Sequence, residues 1–226
     1  TINVTATANM VAEKYYGTAY AYAYGISQVA DGDTADLTVT NHNVISVTAN
    51  ANATASGTAV IGNGYEASAY AYATGVYQDG DADTNTLVLS NDGSITASGT
   101  ANALTKGTAT YAYAYAYVTA VYQEADGDTA SLTVTNLGDI SATADANASD
   151  GSYYAYAYAS ATGIYQYADA DGANTADIYN DGTILAKAHA DAEGEVYSLG
   201  YAYASAITQE GYGESANLTI TNHGDV

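Results

Sequence analysis

The sequence predicts an all-β fold, a parallel β-solenoid of five tandem repeats of about 44 residues with three strands in each repeat. The first observation is repetition, because a Tyr-Ala alternation that ends in Gln recurs along the chain. The second is the two-residue period of the side chains, which is typical of strands and not of helices. The third is the abundance of Thr, Val, Ile and Tyr, which favour strands. The recurrent Gln residues are Gln28, Gln78, Gln123, Gln166 and Gln209.

The repeats form one continuous array, since the units of a solenoid pack only on their neighbours. Their approximate ranges are 2–44, 45–94, 95–139, 140–183 and 184–225. Thr1-Ile2 and Asp225-Val226 both align with Asp139-Ile140, so the array ends in the phase in which it starts. This phase predicts a segment of a longer array, or a subunit that joins further copies end to end.

The first strand of each repeat begins at Ile and then alternates Ala with polar residues, as in Ile140 to Ala148. We expect Ile and Ala to face the interior and Ser, Thr, Asp and Asn to face water. The counterparts of Ile140 are Ile2, Ile45, Ile95 and Ile184.

The second strand carries the Tyr-Ala alternation. If this strand runs without a bulge, Tyr shares a face with the recurrent Ile or Val and with Gln, which predicts that Tyr faces the interior and packs against Ala of the first strand. A bulge at Gly25, Gly75 or Gly163 would reverse this assignment. The predicted Tyr ladders contain Tyr20, Tyr22, Tyr24, Tyr70, Tyr72, Tyr111, Tyr113, Tyr115, Tyr117, Tyr154, Tyr156, Tyr158, Tyr201 and Tyr203. Core packing is the first reading of these ladders and binding of carbohydrate the second; no haem motif or other redox centre supports charge transport along them.

The third strand is short and ends in an Asn that shares the parity of the apolar residues, as in Leu132, Val134 and Asn136. An inward Asn without a partner is costly, so we expect these residues to stack and hydrogen-bond to one another. The predicted ladder contains Asn41, Asn91, Asn136, Asn180 and Asn222.

Two other arrangements of the strands stay open at this stage. Each repeat could form two coils of about 22 residues, and ten coils would rise roughly 48 Å where five rise roughly 24 Å. An antiparallel meander is the other arrangement, but it would place unlike strands side by side.

The formal charge of −22, with 3 Lys and no Arg, excludes nucleic-acid binding in practice, because phosphate neutralisation needs basic side chains. No apolar run approaches the roughly 18 residues that span a bilayer, so membrane insertion is not expected. The absence of Cys suits a long extracellular chain. The three His residues and Lys14, Lys106 and Lys187 are scattered, so the sequence predicts no enzyme and no catalytic residue.

Acidic turns follow each Tyr strand, and Asp-rich turns that contain Gly can supply the oxygen ligands of Ca²⁺. A solvated acidic edge that keeps fibres apart is the alternative. The candidate calcium ligands are Asp31, Asp33, Asp79, Asp81, Asp83, Asp126, Asp128, Asp169 and Asp171, and Glu210 and Glu214 take their place in the last repeat. Apart from Ca²⁺, no cofactor is expected. Candidate N-glycosylation sites are Asn3, Asn52, Asn147 and Asn217, which match the acceptor pattern.

The run Leu-Thr-Val-Thr-Asn-Leu-Gly-Asp-Ile at 132–140 resembles repeats of autotransporter passengers and of giant filamentous, haemagglutinin-like bacterial adhesins. Ala-Thr-Gly-Ile-Tyr-Gln at 161–166 is similar to repeats of large bacterial surface proteins. The resemblance covers all five copies and implies a right-handed parallel β-helix that is exported to the cell surface. The longer strands and the high Tyr content depart from that pattern.

The sequence therefore predicts an extracellular structural filament: a surface fibre, stalk or biofilm-matrix scaffold whose partner is itself, through end-to-end and lateral contacts. The alternative is an adhesin passenger whose long exposed face binds glycans or other surfaces.

Overall fold

The fold is all-β, as predicted, in a computed structural model that describes residues 1–12, 16–56, 65–106, 110–150 and 153–226. No helix occurs in these ranges. Lys14 lies outside the described residues. The strands are β1 (Ile2–Ala12), β2 (Tyr16–Asn41), β3 (Val44–Ser56), β4 (Tyr65–Asn91), β5 (Ser94–Lys106), β6 (Thr110–Gly127), β7 (Thr129–Asn136), β8 (Asp139–Asp150), β9 (Tyr154–Ala170), β10 (Ala173–Asn180), β11 (Thr183–Glu193), β12 (Tyr197–Tyr212) and β13 (Ser215–Asn222).

Two parallel sheets form the walls of the molecule. The sheet that we call the alanine-threonine sheet has the order β1-β3-β5-β8-β11. The second sheet, which we call the tyrosine sheet, has the order β12-β9-β6-β4-β7-β10-β13, with β2 paired to β4. The long strands β2 and β4 combine a Tyr-Ala segment and an Asn-terminated segment, which are separate strands later in the chain. Apolar side chains of the two sheets meet in one continuous core.

The register joins equivalent positions of successive repeats. Ile45 pairs with Ile2 and Ile95, and Ile140 pairs with Ile95 and Ile184. All pairings among the described strands are parallel, which rules out the antiparallel meander. Paired residues stand a whole repeat apart, as Gln78 and Gln28 do at 50 positions, so the pairings do not fit two coils of about 22 residues.

The interior is lined by Ala from both sheets. Ala49, Ala51 and Ala53 of β3 are buried as predicted, and they face the buried Ala69, Ala71 and Ala73 of β4. The prediction that Tyr faces the interior is wrong. The side chains of Tyr20, Tyr22 and Tyr24 are at least half exposed, and the Ala residues between them are buried. Two Ala-lined faces can approach closely, which leaves little space between them for the rings of the Tyr-Ala segments. Tyr65, at the start of β4, is buried in the core.

A bulge at Gly75 in β4 changes which side chains of the Tyr strand point inward. Gly75 and Val76 are consecutive and both buried, while Thr74 pairs with Thr119 and Val76 with Val121. A Cβ atom on Gly75 would lie 2.5 Å from the carbonyl oxygen of Ala120, so the close approach of the backbones requires Gly. After the bulge, Ile or Val and then Gln point inward, where the sequence had placed them.

Local size compensation accompanies Val118, a larger residue that enters the Ala-lined interior. Val118 stands in register with Ala73 and Ala161. Gly99 lies opposite, and a Cβ atom there would lie 2.7 Å from the Val118 side chain. The added volume on one sheet is therefore matched by removed volume on the other.

Candidate functional site

The outward side of the tyrosine sheet carries rows of Tyr rings, which we call the tyrosine face. Rings of neighbouring strands stack: Tyr20 lies 4.7 Å from Tyr70, and Tyr70 lies 4.9 Å from Tyr115, between ring centroids. The next column runs through Tyr22, Tyr72 and Tyr117 at 4.8 and 5.2 Å. The ring planes within these columns lie within 12° of parallel. Strand pairing thus supplies the alignment, since in-register neighbours repeat at about 4.7–4.9 Å.

The rows continue diagonally through β9 and β12. Tyr117 is in register with Ser160, and Tyr158 leans into the space that this small residue leaves, with a ring distance of 5.2 Å and a tilt of 36°. Tyr158 in turn lies 5.5 Å from Tyr203. The next row follows the same path, with Tyr115 5.5 Å from Tyr156 and Tyr156 5.9 Å from Tyr201. Ring contacts therefore connect β2 with β12 without a gap.

A third column, Tyr77, Tyr122 and Tyr165, lies beyond the bulge, and we call it the carboxylate column. Its rings stack at 5.2 and 5.1 Å. The Tyr77 hydroxyl donates a hydrogen bond of 3.0 Å to Asp79, and the Tyr122 hydroxyl donates one of 2.7 Å to Glu124. Tyr165 lies beside Glu210 of the next strand, whose charge acts on its pKa. Residues i and i+2 share one face of a strand, which places each phenol beside its carboxylate.

The environment of this column keeps its phenols protonated. Burial raises the pKa of Tyr122 well above its ordinary value, and the hydrogen bond and charge of Glu124 raise it further. The same causes, with Asp79 as the partner, raise the pKa of Tyr77. Burial and the charge of Glu210 raise the pKa of Tyr165 from 10.0 to about 12. A phenolate beside a carboxylate would bring two negative charges together, which disfavours the charged form.

The recurrent Gln residues form a buried ladder behind this column. Gln78 donates to the side-chain oxygen of Gln28 at 2.9 Å, and Gln123 donates to Gln78 at 2.8 Å. Gln166 and Gln209 extend the series, each donating to the preceding Gln at 2.8 Å. Every donor points towards the N-terminal end of the stack.

The recurrent Asn residues form a second buried ladder, with stacked side-chain hydrogen bonds in the opposite direction. Asn41 donates to Asn91, Asn91 to Asn136, Asn136 to Asn180 and Asn180 to Asn222, each at 2.7 Å. Their second protons go to turn carbonyls such as Gly138 O. The backbones of these turns also stack, with Leu137 N donating to Asn91 O at 2.7 Å.

A third amide ladder lies on the outer face of the alanine-threonine sheet and was missed by the sequence reasoning. Asn52 donates to Asn9 at 2.8 Å, Asn102 to Asn52 at 2.8 Å and Asn147 to Asn102 at 2.9 Å. The signal was present, because these residues recur with the spacing of the repeat. Asp191 occupies the next register position.

The four candidate glycosylation sites lie on outward positions, as the alternation predicted for those of the first strand. Asn3 and Asn217 are exposed, and Asn52 and Asn147 are half-buried members of the outer ladder. A glycan on the amide nitrogen of Asn52 or Asn147 would replace one of the protons available to that ladder. Modification at any of the four sites stays a prediction.

The acidic turns bring carboxylates into a row without assembling a metal site. Asp31, Asp81, Asp126 and Asp169 stand in register on successive strands. Within the described part of the chain, no group of three or more acidic or His side chains is arranged to hold a metal ion. The candidate calcium ligands Asp33, Asp79, Asp83, Asp128 and Asp171 lie at the same turns. The geometry therefore gives the calcium prediction no support.

Inside these turns, Asn85 and Asn174 bind the backbone of the bend. Asn85 donates to Ala82 O at 2.7 Å and to Asp126 O at 2.9 Å, and Asn174 donates to Ala170 O at 3.2 Å and to Tyr212 O. Both residues are buried. They hold the corner at which the Tyr segment turns into the Asn-terminated segment.

The three His residues lie apart and each faces an Asp of an adjacent repeat. His42 Nδ1 lies 2.8 Å from Asp92, and His223 Nδ1 lies 3.2 Å from Asp181. His189 lies 4.0 Å from Asp145. All three rings are largely exposed, so these pairs add little to stability.

Comparison with known proteins gives no relative: no family model, curated protein or solved structure matches this chain. Across the residues that the structure describes, there is no helix of the length and apolarity that crossing a membrane requires.

Proposed function

We propose that this chain is a structural solenoid rod, made of five coils with three strands each, that serves in an extracellular surface fibre, stalk or matrix scaffold. The observation that supports it best is that three amide ladders and three Tyr columns follow the stacking direction. Such a molecule transmits shape and load along its axis. A high negative charge keeps neighbouring rods apart in solution.

The two ends of the stack have complementary amide groups. At the N-terminal end, Gln28 donates one proton to Thr38 O and has a second amide proton, and the side-chain oxygen of Asn41 accepts from Asn43 N and has a second lone pair. At the C-terminal end, Gln209 has a side-chain oxygen that no described group bonds, and Asn222 has an amide proton beyond the one donated to Gly224 O. A further coil, in this chain or in a second copy, would continue both ladders with the same polarity.

The last strands also expose apolar residues that are buried at equivalent positions. Leu218 and Ile220 are 40% and 50% exposed, whereas Leu132 and Val134 are fully buried. Covering such area is favourable by about 25 cal/mol per Å² of apolar surface. The open sheet edges add unpaired backbone groups, which are a template for strand pairing. Apolar area and edge polarity thus both favour stacking at this end.

Electron microscopy and analytical ultracentrifugation over a range of protein concentrations test the proposal. We expect rods that lengthen with concentration and that diffract at about 4.7–4.9 Å along the axis. Ile220→Lys on the inward side of β13 should reduce lengthening, and Thr219→Lys on the outward side is the matched control. Rods that stay the same length at all concentrations, or equal effects of both variants, would contradict end-to-end stacking.

The last residues provide a second arm of that experiment. Asp225 pairs with Thr183, in the register position that Thr1-Ile2 of a following coil would take. A second copy must displace these residues, so a variant that ends at Gly224 should lengthen at lower concentration than the full chain. An unchanged or higher concentration requirement would contradict the proposed register.

A second candidate function is adhesion through the tyrosine face, because the structure places the rings outside and not in the core. Rings such as Tyr70 and Tyr115 already cover much of each other's surface, so they offer edges and hydroxyl groups to a ligand. Co-sedimentation with insoluble polysaccharides tests it. The double variant Tyr70→Ser with Tyr115→Ser should no longer sediment with the polysaccharide. The double variant Thr48→Ala with Thr96→Ala, on the opposite sheet, should still bind it. Equal binding by all forms would exclude the tyrosine face as the binding surface.

A further inference from the structure

We propose that the carboxylate column is a site of one-electron oxidation, at which each oxidised phenol passes its proton to the carboxylate that accepts its hydrogen bond. Tyr24, an exposed ring of β2 in contact with Tyr77, passes the electron vacancy to this site. The oxidant is a soluble one-electron acceptor of the outer-sphere class, which needs no binding pocket. This inference does not depend on the structural function proposed above.

The composition leaves Tyr as the main oxidisable side chain. The chain contains 25 Tyr, no Trp, no Cys and a single Met. Met10, the one thioether, lies in β1 of the opposite sheet. Any electron removed from this protein by such an oxidant is therefore drawn chiefly from Tyr.

The rings of the carboxylate column contact one another, and Tyr24 of β2 contacts this column. Within the carboxylate column the centroid distances are 5.2 and 5.1 Å, with ring planes within 15° of parallel. Tyr24, which neighbours Tyr22 along β2, lies 6.2 Å from Tyr77 in an edge-to-face contact. A vacancy formed at the exposed Tyr24 ring therefore has a direct ring contact to the carboxylate column.

The hydrogen bonds supply the proton acceptor that oxidation requires. Removing an electron from a neutral phenol makes its O–H strongly acidic, and the proton transfers most readily to a group already within hydrogen-bond distance. For Tyr122 the step converts the phenol and the Glu124 carboxylate into a phenoxyl radical and a carboxylic acid, while the oxidant gains one electron. The O–H bond of Tyr122 breaks, an O–H bond on Glu124 forms, and no atom is lost. Return of the electron reverses both changes.

The same chemistry is less favourable in the other columns. Among the described residues, no carboxylate accepts a hydrogen bond from the hydroxyl of Tyr72 or Tyr117. A radical cation there has to release its proton to water, in competition with transfer of the vacancy to a neighbouring ring. Among the rings of the three columns, the vacancy should therefore settle at Tyr77, Tyr122 or Tyr165, which lie beside carboxylates.

Laser photolysis with a ruthenium tris-bipyridine oxidant, followed by transient absorption and by electron paramagnetic resonance of frozen samples, tests this inference. We expect a tyrosyl radical in high yield whose formation is slower in D₂O, because the proton moves with the electron. Glu124→Gln keeps the shape of the side chain but removes the proton acceptor, and it should lower the radical yield several-fold. Glu66→Gln is the control, since Glu66 accepts a hydrogen bond from Ser68.

Tyr122→Phe and Tyr117→Phe compare the loss of a ring from the carboxylate column with the loss of a ring from another column of the tyrosine face. Tyr122→Phe should reduce the yield and alter the resonance spectrum, whereas Tyr117→Phe should leave the spectrum unchanged. Circular dichroism of each variant checks that the sheets are intact. Equal yields in the Glu124→Gln and Glu66→Gln variants, or an identical spectrum after Tyr122→Phe, would overturn the assignment.

Discussion

Replacing Gln123 by Leu should destabilise the protein far more than the same change at Gln28, although both residues belong to one ladder. Gln123 accepts a hydrogen bond from Gln166 and donates one to Gln78, each at 2.8 Å. Leu has a similar volume but can do neither. Two fully buried groups then lose their partner: the side-chain oxygen of Gln78 and the amide of Gln166.

The magnitude follows from these two groups. A buried polar group left without a partner costs about 1–3 kcal/mol, so Gln123→Leu should lower the free energy of unfolding by about 2–6 kcal/mol. For Gln28→Leu the loss is smaller, because the Gln78 amide still donates to Leu37 O at 3.0 Å and to Val88 O at 3.3 Å. Gln28→Leu removes the hydrogen bond from Gln78 and the exposed one that Gln28 donates to Thr38 O, and two lost hydrogen bonds correspond to about 1–3 kcal/mol.

Guanidinium unfolding followed by far-ultraviolet circular dichroism measures the difference, with thermal melts as a second readout. At about 2–4 °C per kcal/mol for a chain of this size, Gln123→Leu should lower the melting temperature by at least about 4 °C. The slope of the free energy against denaturant should stay unchanged, which would show that the same surface is exposed on unfolding. Equal losses of stability at the two positions would refute the reasoning, because the two residues differ in burial and in whether their partners keep other hydrogen bonds.

Three further outcomes are expected. Gly75→Ala should lower stability because the new Cβ atom would lie 2.5 Å from Ala120 O, whereas Ala120→Gly should be mild; a thermal melt of both variants compares them. The contribution of Tyr72 to stability should be constant below pH 10 and fall as the pH rises from about 10 to about 12, since burial raises the pKa of Tyr72 from 10.0 to about 12 and the unfolded chain loses its phenol protons first. Phenolate absorbance during an alkaline titration checks this, and a midpoint at the value of the unfolded chain would contradict it. Ca²⁺ and Mg²⁺ should raise the melting temperature equally by screening the acidic turns, and a larger effect of Ca²⁺ at equal ionic strength would indicate a specific site.

The amide ladders show how much a repetitive sequence predicts. Asn136 and Gln123 share the parity of apolar neighbours, and an inward amide needs a partner. Since parallel strands in register place like residues side by side, the partner had to be the same residue of the next repeat. The outer Asn52 ladder obeys the same rule and was accessible from its spacing. Tyr122 and Glu124, two residues apart on one strand, could likewise have been paired from the sequence.

The orientation of Tyr was beyond the sequence because it depends on a single backbone irregularity. Alternation carries Tyr to the same face as Val76 and Gln78 unless two consecutive residues point inward, and Gly75 and Val76 do so. Whether Gly takes a bulge depends on the approach of a neighbouring strand, here the Ala120 backbone. That approach is a property of the packed stack and not of the strand.

The sequence by itself determined the class of fold, the parallel register and the inward placement of Ile, Gln and Asn, because each follows from a period that repeats along the chain. Only the tertiary structure decided that Ala fills the interior and Tyr the surface. The reason is the distance between the two sheets: Ala on both inner faces leaves little space between the sheets for the rings of the Tyr-Ala segments, so the rings stack outside, where Glu124 and Asp79 accept hydrogen bonds from Tyr122 and Tyr77.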